Sequence, residues 1–191
     1  PNKSMTTRTL AHNTVLIDES DQRSTDRGGD VEFFESSPHV KVMRASSNAY
    51  EQAKTYRRTS AIIDHGEGRN YVIDFFDVEG GKTRDYVFHG PNNKFTADTS
   101  PAADLHLYDF KNIRELTTAK IEWALDDKTT FTAWSLPQPG EQSFIADGWG
   151  QRDPYNADFG ATLPYIVRRA GSDGPAQFVS IFESQPAAQP F

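Results

Sequence analysis

Five histidines, His12, His39, His65, His89 and His106, are the side chains in this sequence best suited to metal or proton chemistry. The chain has no cysteine, so disulfides and thiolate metal sites are both ruled out, and a metal would need imidazole and carboxylate ligands. No two histidines fall in an HExxH or other closely spaced zinc arrangement. His12 and Asn13 stand apart because they open the run Ala11-His12-Asn13-Thr14-Val15-Leu16-Ile17-Asp18. Val15 and Ile17 alternate there with Thr14, Leu16 and Asp18, as expected of a half-buried strand rich in good strand formers. A strand needs neither polar residue at its mouth, a position from which a side chain can leave the sheet and enter a cleft. A surface or hydrogen-bonded histidine is the competing reading of His12. His39 and His65 lie in turns and read as solvated, His106 has no neighbouring ligand pattern, and His89, before Gly90-Pro91, reads as a satisfied structural histidine.

Arginines supply the second kind of chemistry. Arg57 and Arg58 follow Tyr56, and a guanidinium can grip the carboxylate of a charged sugar through two hydrogen bonds. Consecutive strand residues point to opposite faces, so at most one of them faces a cleft. A solvated charge with a salt bridge accounts for them equally well, and Arg168 and Arg169 repeat the ambiguity. Trp149 sits in Asp147-Gly148-Trp149-Gly150-Gln151-Arg152-Asp153, where it either stacks on a sugar ring or plugs the end of the fold. No nucleophile elbow, phosphate loop, dinucleotide fingerprint or EF-hand loop is present, and no pair of acids is shown by sequence to converge.

The elements that must position these residues are strands. Strand-like runs cover residues 9–18, 31–35, 40–44, 55–63, 71–78, 85–89, 119–125, 129–136, 142–146, 164–169 and 177–183. Turns at Ser36-Ser37-Pro38, Asp64 to Gly68, Gly80-Gly81 and Asp126-Asp127-Lys128 suggest hairpins. Tyr71, Ile73 and Phe75 share one face of the strongest strand, and residues 91–116 read as a long irregular connection. Many short strands separated by turn signals predict an all-β fold, an antiparallel β-sandwich, as a single domain over residues 1–183 with a tail at 184–191. At 191 residues the chain can bury a substantial core. Its net charge of −7 argues against nucleic-acid binding, although a local arginine cluster can reverse the field inside a cleft. No run is long and apolar enough to span a membrane. The sequence starts at Pro1 rather than Met, as expected of a mature product, a processed subunit or an excised fragment.

Several segments in order resemble one family. Ala11 to Asp18 followed by Gln22 resembles the HNTV-x-(V/I)-D…Q signature of the heparinase II/III-like polysaccharide lyases. Tyr56-Arg57-Arg58, Tyr71 to Gly81 and Asp85 to Gly90 resemble the stretches that follow, and Gly148 to Asp153 and Pro164 to Arg169 resemble later strands. The resemblance implies a C-terminal β-sandwich region that partners an N-terminal α-helical toroid. It implies β-elimination on an acidic polysaccharide of the alginate or heparan sulfate type, with the main catalytic groups on the toroid. It also implies a zinc ion, for which His12 corresponds to one ligand. The other ligands, a His and an Asp, precede the signature in the family, yet the eleven residues before His12 contain neither. Asn13, Arg58 and Trp149 are the expected substrate-binding residues. The expected setting is the bacterial periplasm or exterior, and the chain alone is expected to be inactive as a lyase. A non-catalytic carbohydrate-binding sandwich using Trp149 and Tyr155, or a scaffold that has lost activity, are the alternatives.

Overall fold

The computed structural model describes residues 3–102, 105–155, 157–171 and 174–186. In chain order its strands are β1 (Thr14–Ile17), β2 (Gly29–Ser36), β3 (Val40–Ser47), β4 (Ala53–Gly66), β5 (Arg69–Gly80), β6 (Arg84–His89) and β7 (Phe95–Thr96). There follow β8 (Thr99–Pro101), β9 (Lys111–Leu116), β10 (Lys120–Ala124), β11 (Thr129–Leu136), β12 (Gln142–Trp149), β13 (Thr162–Ala170) and β14 (Ala176–Pro186). Six of these form one sheet in the order β1-β6-β13-β12-β9-β8, and eight form another, β2-β3-β4-β5-β14-β11-β10-β7. All described pairings are antiparallel. The molecule is therefore the expected β-sandwich. Before β1 the chain makes one helical turn at Lys3–Thr6 and a 3-10 turn at Thr9–Ala11. No helix among the described residues is long and apolar enough to cross a membrane.

The sheets meet over two apolar clusters. Val15, Ile17, Tyr56, Phe76, Val78, Tyr86 and Phe178 form one, and Ile121, Trp123, Ala133 and Ile166 form the other. Alternate residues of the smaller sheet, Leu16, Val87, Tyr165 and Val167, point away from that interface. They pack under Leu10, Leu107, Tyr108 and Phe110 from the N-terminal turn and the 105–110 segment. β1 is consequently buried on both faces, not half-buried as its alternation suggests, because chain distant in sequence covers its second face. It also starts at Thr14, five residues later than expected.

β5 inverts the simplest reading of its pattern. Tyr71, Ile73 and Phe75 do share a face, but that face is only partly covered, whereas Asp74, Phe76 and Val78 face the other sheet. Gly80-Gly81 is a corner between sheets and not a hairpin, since β5 and β6 belong to different sheets. Gly80 has φ +109°, and a Cβ there would run into the Gln52 carbonyl. The hairpins expected at residues 36–38, 64–68 and 126–128 are present as β2–β3, β4–β5 and β10–β11. The connection at 91–116 contains three strands, β7, β8 and β9. β14 runs through Pro186, which pairs with Thr129, so the tail does not begin at 184. Residues 187–191 of the expected tail lie outside the described residues.

Candidate functional site

The mouth of β1 is fixed by a buried carboxylate. Asp74, 1% exposed, accepts hydrogen bonds from Arg58 Nε at 2.7 Å and Nη2 at 3.0 Å, from Tyr86 Oη at 3.0 Å and from Ser60 Oγ at 3.1 Å. Arg58 Nη1 donates to the Asn13 carbonyl at 2.9 Å. The Asn13 side-chain oxygen in turn accepts the His89 backbone N–H at 3.1 Å. Asn13 and Arg58 are thus brought together, but all three guanidinium nitrogens bond within the protein, and Arg58 acts here by positioning Asn13. Arg57 points to the opposite face, as expected, onto Asp77 at 3.2 Å. Arg168 is buried between the sheets on Glu141, while Arg169 pairs with Asp85. Both hold the scaffold together.

Tyr56 completes the support. Its hydroxyl donates to the Val15 carbonyl at 2.7 Å and lies 2.9 Å from Thr14 Oγ1, and it accepts from Gln22 Nε2 at 3.2 Å. Burial raises its pKa above the usual tyrosine value, so it stays a neutral donor.

Above this support lies a group of cationic and imidazole side chains. His12 is exposed and shares a cavity of about 330 Å³ with Thr7, Thr9, Thr14, Gln22 and Arg27. His89 follows on the adjacent strand. Its Nδ1 is buried without a hydrogen-bond partner among the described residues. Burial lowers the His89 pKa below its ordinary value, and the positive charges of Arg152 and then His12 lower it further. The His89 ring lies 5.5 Å from that of Tyr165, which also senses Arg152. Arg27 thus shares the His12 cavity, and His89 lies within electrostatic reach of both His12 and Arg152. The two arginines carry the fixed positive charge of this group, since burial and Arg152 oppose protonation of His89.

Trp149 ends β12, and Tyr165 Oη donates to its carbonyl at 3.1 Å. The indole is half-buried beside a second cavity of about 370 Å³ that includes Arg8, Asp109, Phe110 and Lys111, and its Nε1 has no partner among the described residues. It belongs to the cavity wall and is not a buried plug. The loop after it carries Arg152, and Asp158 accepts the Arg152 backbone N–H at 2.6 Å. The same loop exposes Tyr155 (90%) and Phe159 (85%). A larger groove of about 660 Å³ lies beyond Arg27 along β2 to β4, but its cations Lys54 and Arg57 already pair with Glu79 and Asp77.

Among the described residues no three His, Cys, Asp or Glu side chains converge to hold a metal ion. The His12 cavity offers one imidazole, hydroxyls, an amide and a guanidinium, where zinc requires several imidazoles and carboxylates. These residues do not by themselves fit a zinc centre. Sequence reasoning missed Arg27, His89, Arg152 and Phe159. His89 offered a signal, a polar residue closing a strand ahead of Gly90-Pro91 just as His12 precedes another. The arginines lie in loops whose position only the fold reveals.

No family model and no curated protein matches this chain. Solved structures do. Heparan sulfate lyase HepC from Pedobacter heparinus superposes with a TM-score of 0.70 at 13% identity, over 96% of this chain and 25% of that one. The fold is that of the heparinase β-sandwich. A heparinase III, the BT4657 gene product, matches at a TM-score of 0.63 and 13% identity, over 95% of this chain and 25% of that one. Another heparinase III matches at 0.61 and 12% identity, over 94% and 24%. The chain thus spans about a quarter of the length of the lyases it resembles. The heparinase resemblance suggested by the motifs is borne out at the level of fold.

Proposed function

We propose that this chain is the β-sandwich part of a lyase that cleaves uronate-containing polysaccharide by β-elimination, and that its β1–β6–β13 edge is one wall of the substrate cleft. The observation that carries this reading is the gathering of Arg27, His12, His89 and Arg152 at one end of a heparinase-like sandwich of otherwise acidic character. β-Elimination removes the C5 proton of a uronate and expels the 4-linked oxygen, and negative charge builds on the carboxylate as the proton leaves. Fixed positive charge from Arg27 and Arg152 along the wall lowers the cost of that charge and holds sulfates or carboxylates. Asn13, held by Arg58, supplies a directed polar contact beside His89, and Trp149 with Tyr155 and Phe159 supplies stacking surface for sugar rings.

In this reading the base and acid that flank the ring come from an α-helical toroid in the same protein, and the setting is the bacterial periplasm or exterior. Zinc was the expected cofactor; in this reading His12 alone does not hold it, and no step is assigned to it.

The exposed aromatics Tyr155 and Phe159 favour a second reading, a sandwich that binds carbohydrate without cleaving it. The two are separated by incubating heparan sulfate or alginate with the full-length protein and with this chain. The lyase reading predicts rising ultraviolet absorbance from unsaturated uronate with the full-length protein and none with the chain. Binding without turnover by the full-length protein would favour the second reading.

A further inference from the structure

The His12 cavity has a more specific chemistry than a general basic surface. Arg27 makes no ion pair or hydrogen bond among the described residues, and its loop is pinned on both sides. Arg23 Nη2 donates to the carbonyls of Asp26 at 2.7 Å and Asn48 at 2.9 Å, while the Gly28 N–H donates to Asn48 Oδ1 at 2.7 Å. The guanidinium is thus a free cation on a fixed base. His12 sits across the cavity, its backbone N–H bonded to the Thr9 carbonyl at 3.0 Å.

The floor is made of threonine side chains held within the protein, Thr14 by Tyr56 at 2.9 Å. Thr9 is buried, its Oγ1 accepts the Gln22 backbone N–H at 2.8 Å, and its hydroxyl is also engaged by Tyr50, so it shapes the floor and is not a free donor. Asp21 does not line the cavity; it accepts the Thr9 N–H at 2.7 Å and pairs with Arg8 at 3.4 Å. Among the described residues no carboxylate lines the space, so none of them offers a divalent cation a counter-charge against Arg27.

We propose that the His12–Arg27 cavity is a subsite for a single oxyanion, the sulfate ester or carboxylate of one sugar residue, rather than a metal site. The proposal rests on the reading that this edge faces an acidic polysaccharide. An arginine fork and an imidazole match the oxygens of such a group, and a cavity of about 330 Å³ also has room for the sugar bearing it.

NMR of the His12 imidazole in the full chain tests this with five probes: inorganic sulfate, a sulfated heparan disaccharide, a non-sulfated uronate disaccharide, a neutral disaccharide and zinc chloride. The expected result is that the anionic probes shift the His12 resonances and the neutral sugar does not. A shift by only the sulfated or only the carboxylated disaccharide supports the site and names the source of the anion. Arg27→Gln, an exposed substitution, is expected to weaken binding of the charged disaccharide about tenfold. A response to zinc without one to any oxyanion, equal binding of the neutral sugar, or unchanged affinity in Arg27→Gln would overturn the proposal. Retention of heparan sulfate or alginate polymer is measured in parallel. If the polymer binds while the His12 signals ignore every oxyanion, the subsite fails and the cleft-wall reading survives. If inorganic sulfate shifts His12 but neither polymer is retained, the oxyanion site stands and the cleft-wall reading fails.

Discussion

His89 holds its imidazole where burial and the neighbouring Arg152 both oppose protonation. Its folded pKa lies below the ordinary value of 6.5, so in acid the unfolded chain takes up this proton first. Its contribution to stability is therefore intact above 6.5 and is lost as pH falls from 6.5 toward the lowered folded value. Proton NMR is expected to show His89 titrating below 6.5, and His89→Gln should flatten this part of the stability–pH curve in denaturant titrations. A His89 titration above 6.5 would contradict the geometry. Arg168 and Glu141 form a different kind of contact, an ion pair removed from water at 1% and 0% side-chain exposure. Glu141→Ala leaves the guanidinium buried without its counter-ion and is expected to cost ~3–5 kcal/mol, read as a lowered urea midpoint. The sequence showed that Arg57 and Arg58 point apart, because strand alternation is local. It could not show that Arg58 would be taken up by Asp74, which lies sixteen residues away on the next strand.

At the level of elements, the hairpins were legible because their turn residues and flanking alternation are short-range signals. What sequence patterns do not carry is which face of a strand meets the other sheet. In β5 the apolar set Tyr71, Ile73 and Phe75 was the more conspicuous, yet Asp74 points inward because Arg58, Ser60 and Tyr86 satisfy it there. Leu16 was misread for the complementary reason, since its cover comes from the 105–110 segment. Gly80 marked a change of direction correctly but not its kind. The corner it makes needs positive φ and close approach to Gln52, so Gly80→Ala should destabilise the fold by more than about 1 kcal/mol. Thermal unfolding measures this; an unchanged midpoint would show that the corner tolerates a side chain.

For the whole molecule, fold class and the heparinase-like architecture were legible from ordered motifs, while the candidate cleft wall was only half legible. His12, Asn13 and Trp149 stood out by type and position, but Arg27 and Arg152 reach the same edge through loops. Long-range folding thus gathers two arginines and two histidines at one end of a chain of net charge −7. Because such a group acts through charge, its binding must weaken as salt rises. The most direct test is the affinity of this chain for heparan sulfate and alginate oligosaccharides across a salt series, beside the Arg27→Gln/Arg152→Gln double variant. The cleft-wall account predicts binding of at least one of these anionic chains by the native sequence, a steady loss with salt, and at least a tenfold weakening in the double variant. Failure to bind either, or affinity that ignores both salt and the two substitutions, would contradict it.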